Sequence, residues 1–206
     1  MTTCMFELLC VTNRGLCRGD FLEQMERLAA AHPAGIILRE KDLPPLEYRK
    51  LAQSVMAVCA RHGVPCILHS FVEVARDLGR ASVHLPLPVL RSLSEAERAA
   101  FPILGASCHN VADAVEAEAL GCNYITAGHV FDTACKAGTP GRGLDFLREV
   151  CASVLIPVYA IGGIGPENVA QVRQAGATGA CVMSGAMTCA DPETYFTTMK
   201  ERANEI

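Results

Sequence analysis

The chain has 206 residues, half of them hydrophobic and 19% charged, with a formal net charge of −4 at pH 7. That length suits a single domain over residues 1–206, since dividing it would leave two small cores, and so apolar a composition excludes a disordered chain. No run of basic residues offsets the acidic balance, which argues against a nucleic-acid surface, and no apolar stretch approaches membrane-spanning length.

In chain order, the apolar run Glu7–Thr12 predicts a first strand, and Phe21–Ala31, behind the N-cap candidate Asp20, a first helix. Strand Gly35–Arg39 precedes helix Leu46–His62, stopped by Gly63, and strand Cys66–His69 precedes helix Val72–Leu78, stopped by Gly79. Ser82–Leu85 is followed by Glu95–Ala100, and Ile103–Ser107 by the Asn110-capped helix Val111–Leu120, which ends at Gly121. Tyr124–Gly128 leads through a glycine-rich segment into Leu144–Val154. Val158–Ile161 leads into Pro166–Ala175, with proline at the first helical position and Gly176 after the last. Ala180–Met183 and helix Pro192–Asn204 complete the series.

Eight alternations of strand and helix predict a parallel sheet with helices outside it, an α/β (β/α)8 TIM barrel at the short end of the usual length. A doubly wound open sheet is the alternative, but no G-x-G-x-x-G follows the first strand. In the barrel, chemistry gathers where strands end and helices begin.

Those strand ends carry candidates. After strand two, Arg39 and Lys41 alternate onto one side, where both could face an anion; the bland alternative is a solvated charged strand end. Gly162 and Gly163 after strand seven, with Ser184 and Gly185 after strand eight, suit a phosphate approached by backbone N–H groups, although either pair alone is ordinary turn chemistry. His129 closes the apolar strand Tyr124–Gly128 and is followed by a glycine-rich loop, Asp132 to Gly143, carrying Lys136 and Arg142. An imidazole beside such a loop fits an enzyme that moves protons on a phosphate-bearing small molecule, a structural histidine being the rival reading. Among the other histidines, His32 and His62 fall at helix ends, His84 reads as a core or rim residue, and His69 and His109 sit at strand ends within reach of a ligand. No H-x-x-x-H or acidic cluster stands at a strand end, so neither a metal nor another cofactor is expected. Eleven cysteines without a C-x-x-C pair read as small buried hydrophobes of a reducing cytoplasm, and no signal peptide is read at the N-terminus.

These segments resemble the thiamin phosphate synthase superfamily across nearly the whole chain. Six motifs recur in order: Arg39-Glu40-Lys41, Val83-His84-Leu85, Gly105-x-Ser107-x-His109, Gly128 with the Thr133/Lys136 loop, Ile161-Gly162-Gly163-Ile164, and Met183-Ser184-Gly185. The resemblance implies the barrel and a small-molecule thiazole phosphate substrate, with Arg39, Lys41, Ser107, Thr133 and Lys136 binding substrate and Gly162, Gly163, Ser184 and Gly185 its phosphate. The synthase pattern is broken where Gln is replaced by Ile37, Asn-Asp by His69-Ser70, an acid after strand four by Pro88, and a lid Thr by Cys135. The broken positions are those that in the synthase would hold pyrimidine, Mg²⁺ and diphosphate. The segment from Gly128 to Gly143, and the Leu85-Pro86 step, are similar instead to the TenI-type thiazole tautomerase branch. That likeness implies an isomerase in which His129, as catalytic acid/base, aromatises a 2-carboxy-thiazolylidene ethyl phosphate to its 2-carboxythiazole tautomer without metal or cofactor. The alternatives are thiamin phosphate synthase itself, condensing thiazole phosphate with hydroxymethylpyrimidine diphosphate, or a non-catalytic thiazole-phosphate-binding regulatory protein. A homodimer is a fold-level expectation.

Overall fold

Each of the eight apolar runs forms a strand, because a parallel strand covered on both faces must be apolar on both. The computed structural model describes residues 5–79, 81–133 and 138–205. The strands are β1 (Glu7–Val11), β2 (Gly35–Leu38), β3 (Cys66–His69), β4 (Ser82–Pro86), β5 (Leu104–Cys108), β6 (Tyr124–Gly128), β7 (Val158–Ile161) and β8 (Gly179–Val182). All are parallel, paired in sequence order, and β1 pairs with β8 to close the barrel. The (β/α)8 expectation therefore holds.

Around the barrel lie α1 (Phe21–Ala30), α2 (Pro45–Arg61), α3 (Val72–Asp77), α4 (Leu87–Ser92), α5 (Glu95–Ala99), α6 (Val111–Ala119), α7 (Gly143–Ser153), α8 (Val169–Gln174), α9 (Ser184–Thr188) and α10 (Pro192–Asn204). The side chains of Asp20 and Asn110 cap α1 and α6 by accepting from Glu23 N and Asp113 N. Helix α8 starts three residues later than Pro166 suggests, because Asn168 holds the preceding turn open: its Nδ2 donates to Gly163 O at 2.8 Å and its Oδ1 accepts from Gly165 N at 3.0 Å.

Strand side chains alternate between two layers. Leu8, Cys10, Ile36, Leu38, Val83 and Leu85 face outward into the main core beneath the helices. Leu9, Val11, Ile37, Ile67, Tyr124, Tyr159 and Cys181 fill the barrel interior. The nine cysteines among the described residues are all free, and most are buried or half-buried. Among the described residues no helix is long and apolar enough to cross a membrane.

Candidate functional site

Eight parallel strands bring all their C-terminal ends to one mouth, which holds a cavity of about 270 Å³. Its wall takes Arg39 and Lys41 from beyond β2, His69 from β3, Pro86 from β4, Ser107 from β5, His109 from just beyond it, and His129 and Thr133 from beyond β6. Gly162, Gly163 and Ser184 complete it from beyond β7 and β8. Of the residues singled out in the sequence, Gly185 is absent from this lining and Lys136 lies outside the described residues. Gly185 packs instead against the Tyr195 ring, which a Cβ would overlap.

The charge of the mouth follows from strand alternation. Arg39 and Lys41 line the cavity while Glu40, between them, turns away and is 3% exposed. Glu40 accepts from Thr12 Oγ1 at 2.6 Å, from Arg14 N at 3.1 Å and from Arg14 Nη1 at 3.2 Å. Arg14 is gripped in turn by Asp42, at 2.8 Å through Nη1. The nearest acids are thus consumed on the far side of the strand end. Arg39 stays on the cavity side, its backbone N donating to Thr12 Oγ1 at 2.9 Å.

Beneath the mouth runs a ladder of polar rings. At the closed end Tyr159 donates to Glu7, and Tyr124 stands edge-on to Tyr159 with centroids 5.5 Å apart. Tyr124 Oη lies 3.0 Å from His84 Nδ1, and His84 Nε2 lies 2.8 Å from Ser107 Oγ. Register makes this possible: His84 is level with Gly105, which is level with Tyr124. Any Cβ at Gly105 would overlap the Tyr124 ring, so only glycine admits that ring beside β5. Burial, with the nearby Lys41 charge, pushes the His84 imidazole down to about 3. Burial, then the charges on His84, Lys41 and Arg39, pushes His69 down to about 2. Both rings are neutral at pH 7. When the Tyr124 phenol donates to Nδ1, the His84 proton sits on Nε2 and donates to Ser107 Oγ, which leaves the serine hydrogen for the cavity.

At the end of β6, His129 is 5% exposed on the cavity wall. Its Nε2 lies 3.1 Å from Thr139 O, and its Nδ1 is buried with no partner among the described residues. Arg142 N donates to His129 O at 2.9 Å, Gly143 N to Val130 O at 2.9 Å, and Gly141 N to Asp132 Oδ1 at 2.7 Å. The returning segment 139–143 is therefore laid against the end of β6, and the ring acts first as its anchor. Gly162, at φ 103°, is packed so closely on His129 that a Cβ would overlap the histidine's own. Glycine is demanded there by packing, a reason separate from any approach to a phosphate.

Several lining groups carry no role in the sequence reading: Thr126 and the apolar Val11, Ile164 and Met183, the last two quoted there only within motifs; the apolar three give the cavity a hydrophobic side suited to a flat ring. His62 closes α2 as a C-cap residue, and its ring reaches Glu26 at 2.6 Å.

Comparison with known proteins places this geometry. The sequence profile of the thiamine monophosphate synthase family matches residues 8–186. A thiamine-phosphate synthase from Syntrophomonas wolfei is 34% identical over 195 residues, 91% of each chain. One from Methanoculleus marisnigri is 37% identical over 205 residues, covering 96% of this chain and 95% of that one. The solved structure of a thiamine phosphate pyrophosphorylase from Pyrococcus furiosus superposes with a TM-score of 0.82 at 28% identity, covering 97% of this chain and 96% of the other. These relatives overturn the isomerase expectation, since the proteins similar over nearly the full length carry a transferase's name, not a tautomerase's. Physically, Ile37, His69-Ser70, Pro88 and Cys135 are a handful of substitutions on an otherwise shared scaffold, and His129 spends Nε2 on Thr139 instead of leaving the whole ring to a substrate. Neither the tautomerase reading nor the TenI-type branch is retained. With the profile, the full-length relatives and the barrel in agreement, the chain belongs to the thiamine monophosphate synthase family.

Proposed function

We propose that the chain is a transferase of the thiamine-phosphate synthase kind, joining a thiazole phosphate to hydroxymethylpyrimidine diphosphate. The observation that carries this reading is the end-to-end kinship with proteins of that name. In the reaction a C–N bond forms between the thiazole nitrogen and the pyrimidine methylene carbon. The C–O bond from that carbon to the diphosphate breaks, and its electron pair departs with the diphosphate. Two anionic groups must be held on either side of one reacting carbon.

The cavity offers one pole for each. Gly162, Gly163 and Ser184, with Gly185 behind them, hold the thiazole phosphate through backbone and hydroxyl donors. Arg39 and Lys41 meet the diphosphate and stabilise the charge it gains as it leaves. Ser107, supplied with a fixed partner by His84, and Thr133 orient the ring between the poles. Val11, Ile164 and Met183 exclude water from the reacting carbon. Mg²⁺ usually accompanies a diphosphate through one or two carboxylates, but the cavity lining contains none, so no step is assigned to a metal. The free cysteines suit a reducing compartment such as the cytoplasm.

The test is incubation with both substrates, reading thiamin phosphate as its fluorescent oxidation product and diphosphate by a coupled release assay. Equal appearance of both products is expected. Absence of both, with and without Mg²⁺, would remove the transferase reading.

A further inference from the structure

His69 ends β3 between the cationic end of β2 and the polar ladder. It is level with His84 on β4, and the Leu38–Leu68 pair one step below puts it beside Arg39. The ring lines the cavity and is 5% exposed. Both of its flanks are tied to neighbouring strands. Its backbone N donates to Tyr48 Oη at 3.1 Å, and that phenol donates to Leu38 O at 2.6 Å. The next amide, Ser70 N, donates to His84 O at 3.1 Å. A backbone held so firmly fixes where the imidazole stands.

Ser70 itself is strained. Among the described residues only it and His32 are non-glycine residues at positive φ, Ser70 at 70°. His32 follows the end of α1, where a left-handed residue is ordinary, whereas Ser70 closes no helix. Glycine would hold that φ at no steric cost, so what serine adds is its hydroxyl. Ser70 Oγ lies 2.7 Å from His69 Nδ1. That is the usual length for a hydroxyl donor and the short limit for a ring N–H, so the hydroxyl donates and Nδ1 accepts. In the neutral imidazole the ring proton then sits on Nε2. Nε2 has no hydrogen-bond partner among the described residues, and unlike His129 Nδ1 it is not sealed inside the protein.

We infer that His69 is a ligand-contacting residue, presenting Nε2–H as a neutral donor to an oxygen of the bound diphosphate, and that Ser70 is the positioning residue that keeps the proton on that nitrogen. This rests on the transferase reading for the identity of the ligand, and on the His69-Ser70 corner for the direction of the bond. An uncharged donor suits a place beside the Arg39 guanidinium, since it grips an anionic oxygen without burying another cation.

The probe is inorganic pyrophosphate, titrated calorimetrically into the full chain in a buffer of constant Mg²⁺ content. His69→Leu, which fills the space without a donor, should weaken binding by about 10-fold or more. His69→Gln, whose amide reaches the place of Nε2, should recover part of that loss. Ser70→Gly should weaken binding by about 3-fold or more while the melting temperature stays near the parent's, because glycine relieves the strain that serine carries. In the free protein, nitrogen NMR of histidine-labelled chain should show Nε2 protonated and Nδ1 bare, the His69 signals being those lost in His69→Gln. A proton on Nδ1, unchanged affinity in folded His69→Leu, or no pyrophosphate binding by the parent chain would overturn the inference. So would melting temperatures that fall in His69→Leu and Ser70→Gly with affinity intact, the signature of packing alone. The two readings fail separately. A chain that makes no thiamin phosphate yet binds pyrophosphate through His69 loses only the transferase reading. One that makes thiamin phosphate while His69→Leu binds pyrophosphate like the parent loses only this inference.

Discussion

The substitution Gly105→Ala isolates the polar ladder from everything else in the site. The new methyl would sit 2.6 Å from the Tyr124 hydroxyl oxygen and closer still to two ring carbons, so the ring must leave its place between β5 and Tyr159. Overpacking of this kind costs about 1–3 kcal/mol. Displacing the phenol also removes the 3.0 Å partner of His84 Nδ1, a group inside the barrel where water cannot replace it, at about 1–3 kcal/mol more. A mid-range loss of about 4 kcal/mol corresponds to a melting temperature lower by about 8–16 °C in a domain of this size. Urea unfolding followed by circular dichroism measures the free energy directly, and the double variant Gly105→Ala/Tyr124→Leu separates clash from strand propensity. Removing the ring should make the alanine nearly harmless, a coupling of more than about 1 kcal/mol between the two sites. A stability within about 0.5 kcal/mol of the parent for Gly105→Ala, or strict additivity in the double variant, would refute the claim that glycine is there to admit the tyrosine.

Two further outcomes follow from the neutral imidazoles and from the anchor on β6. Because His69 and His84 stay unprotonated in the fold down to about 2 and 3, while an unfolded imidazole takes its proton near 6.5, the unfolded chain binds more protons below that pH. Stability contributed by their neutrality is therefore full above about pH 6.5 and declines as pH falls, by about 1.4 kcal/mol per pH unit for each ring. Urea midpoints between about pH 7 and pH 5 should fall less steeply in His84→Gln than in the parent, by about one proton's worth, and identical slopes would contradict the assignment. In His129→Ala the bond to Thr139 O is lost, with a stability cost of only about 1 kcal/mol. Hydrogen exchange should accelerate at Gly141, Arg142 and Gly143 while the β6 amides of Ile125 and Thr126 keep their protection, and unaltered exchange at the three loop amides would remove the anchoring role.

The strands were legible because their physics is local. Gly35–Leu38 is buried at all four positions, and such short apolar runs bounded by turn residues have few other readings. Two helices were not. Helix α4 begins directly after Pro86 and carries Pro88 in its first turn, a position that needs no N–H donor, so a Pro-Leu-Pro sequence that reads as loop is in fact a helix start. Helix α9 spans five residues, too short for periodicity to register. The mouth was legible once the barrel was, because the fold dictates which strand ends converge. The ladder was not, since His84 and Tyr124 are 40 residues apart and meet only through the register of closed strands. The choice of reaction failed for a related reason. Five substituted residues, Ile37, His69, Ser70, Pro88 and Cys135, read as lost chemistry, although the similarity to transferases is distributed along the whole barrel.

The sign of the cavity is itself a matter of register, and a residue outside the wall decides it. Arg39, Glu40 and Lys41 follow the last residue of β2, where the ladder no longer constrains the chain. A slip of one residue there would send both cations to the far side and deliver a carboxylate to the anion site. Thr12, fully buried one residue beyond β1, blocks that exchange. Its hydroxyl accepts from Arg39 N at 2.9 Å and donates to Glu40 Oε1 at 2.6 Å, so one side chain fixes the backbone before Glu40 and the carboxylate after it. The same carboxylate takes the backbone N–H of Arg14 in the turn that follows, so reversing the alternation would break three hydrogen bonds in a largely buried place. At a net cost of about 1 kcal/mol or more for each, the slipped arrangement is not a competitor, and the cavity keeps its cations because a threonine at the end of the neighbouring strand holds Glu40 away from it.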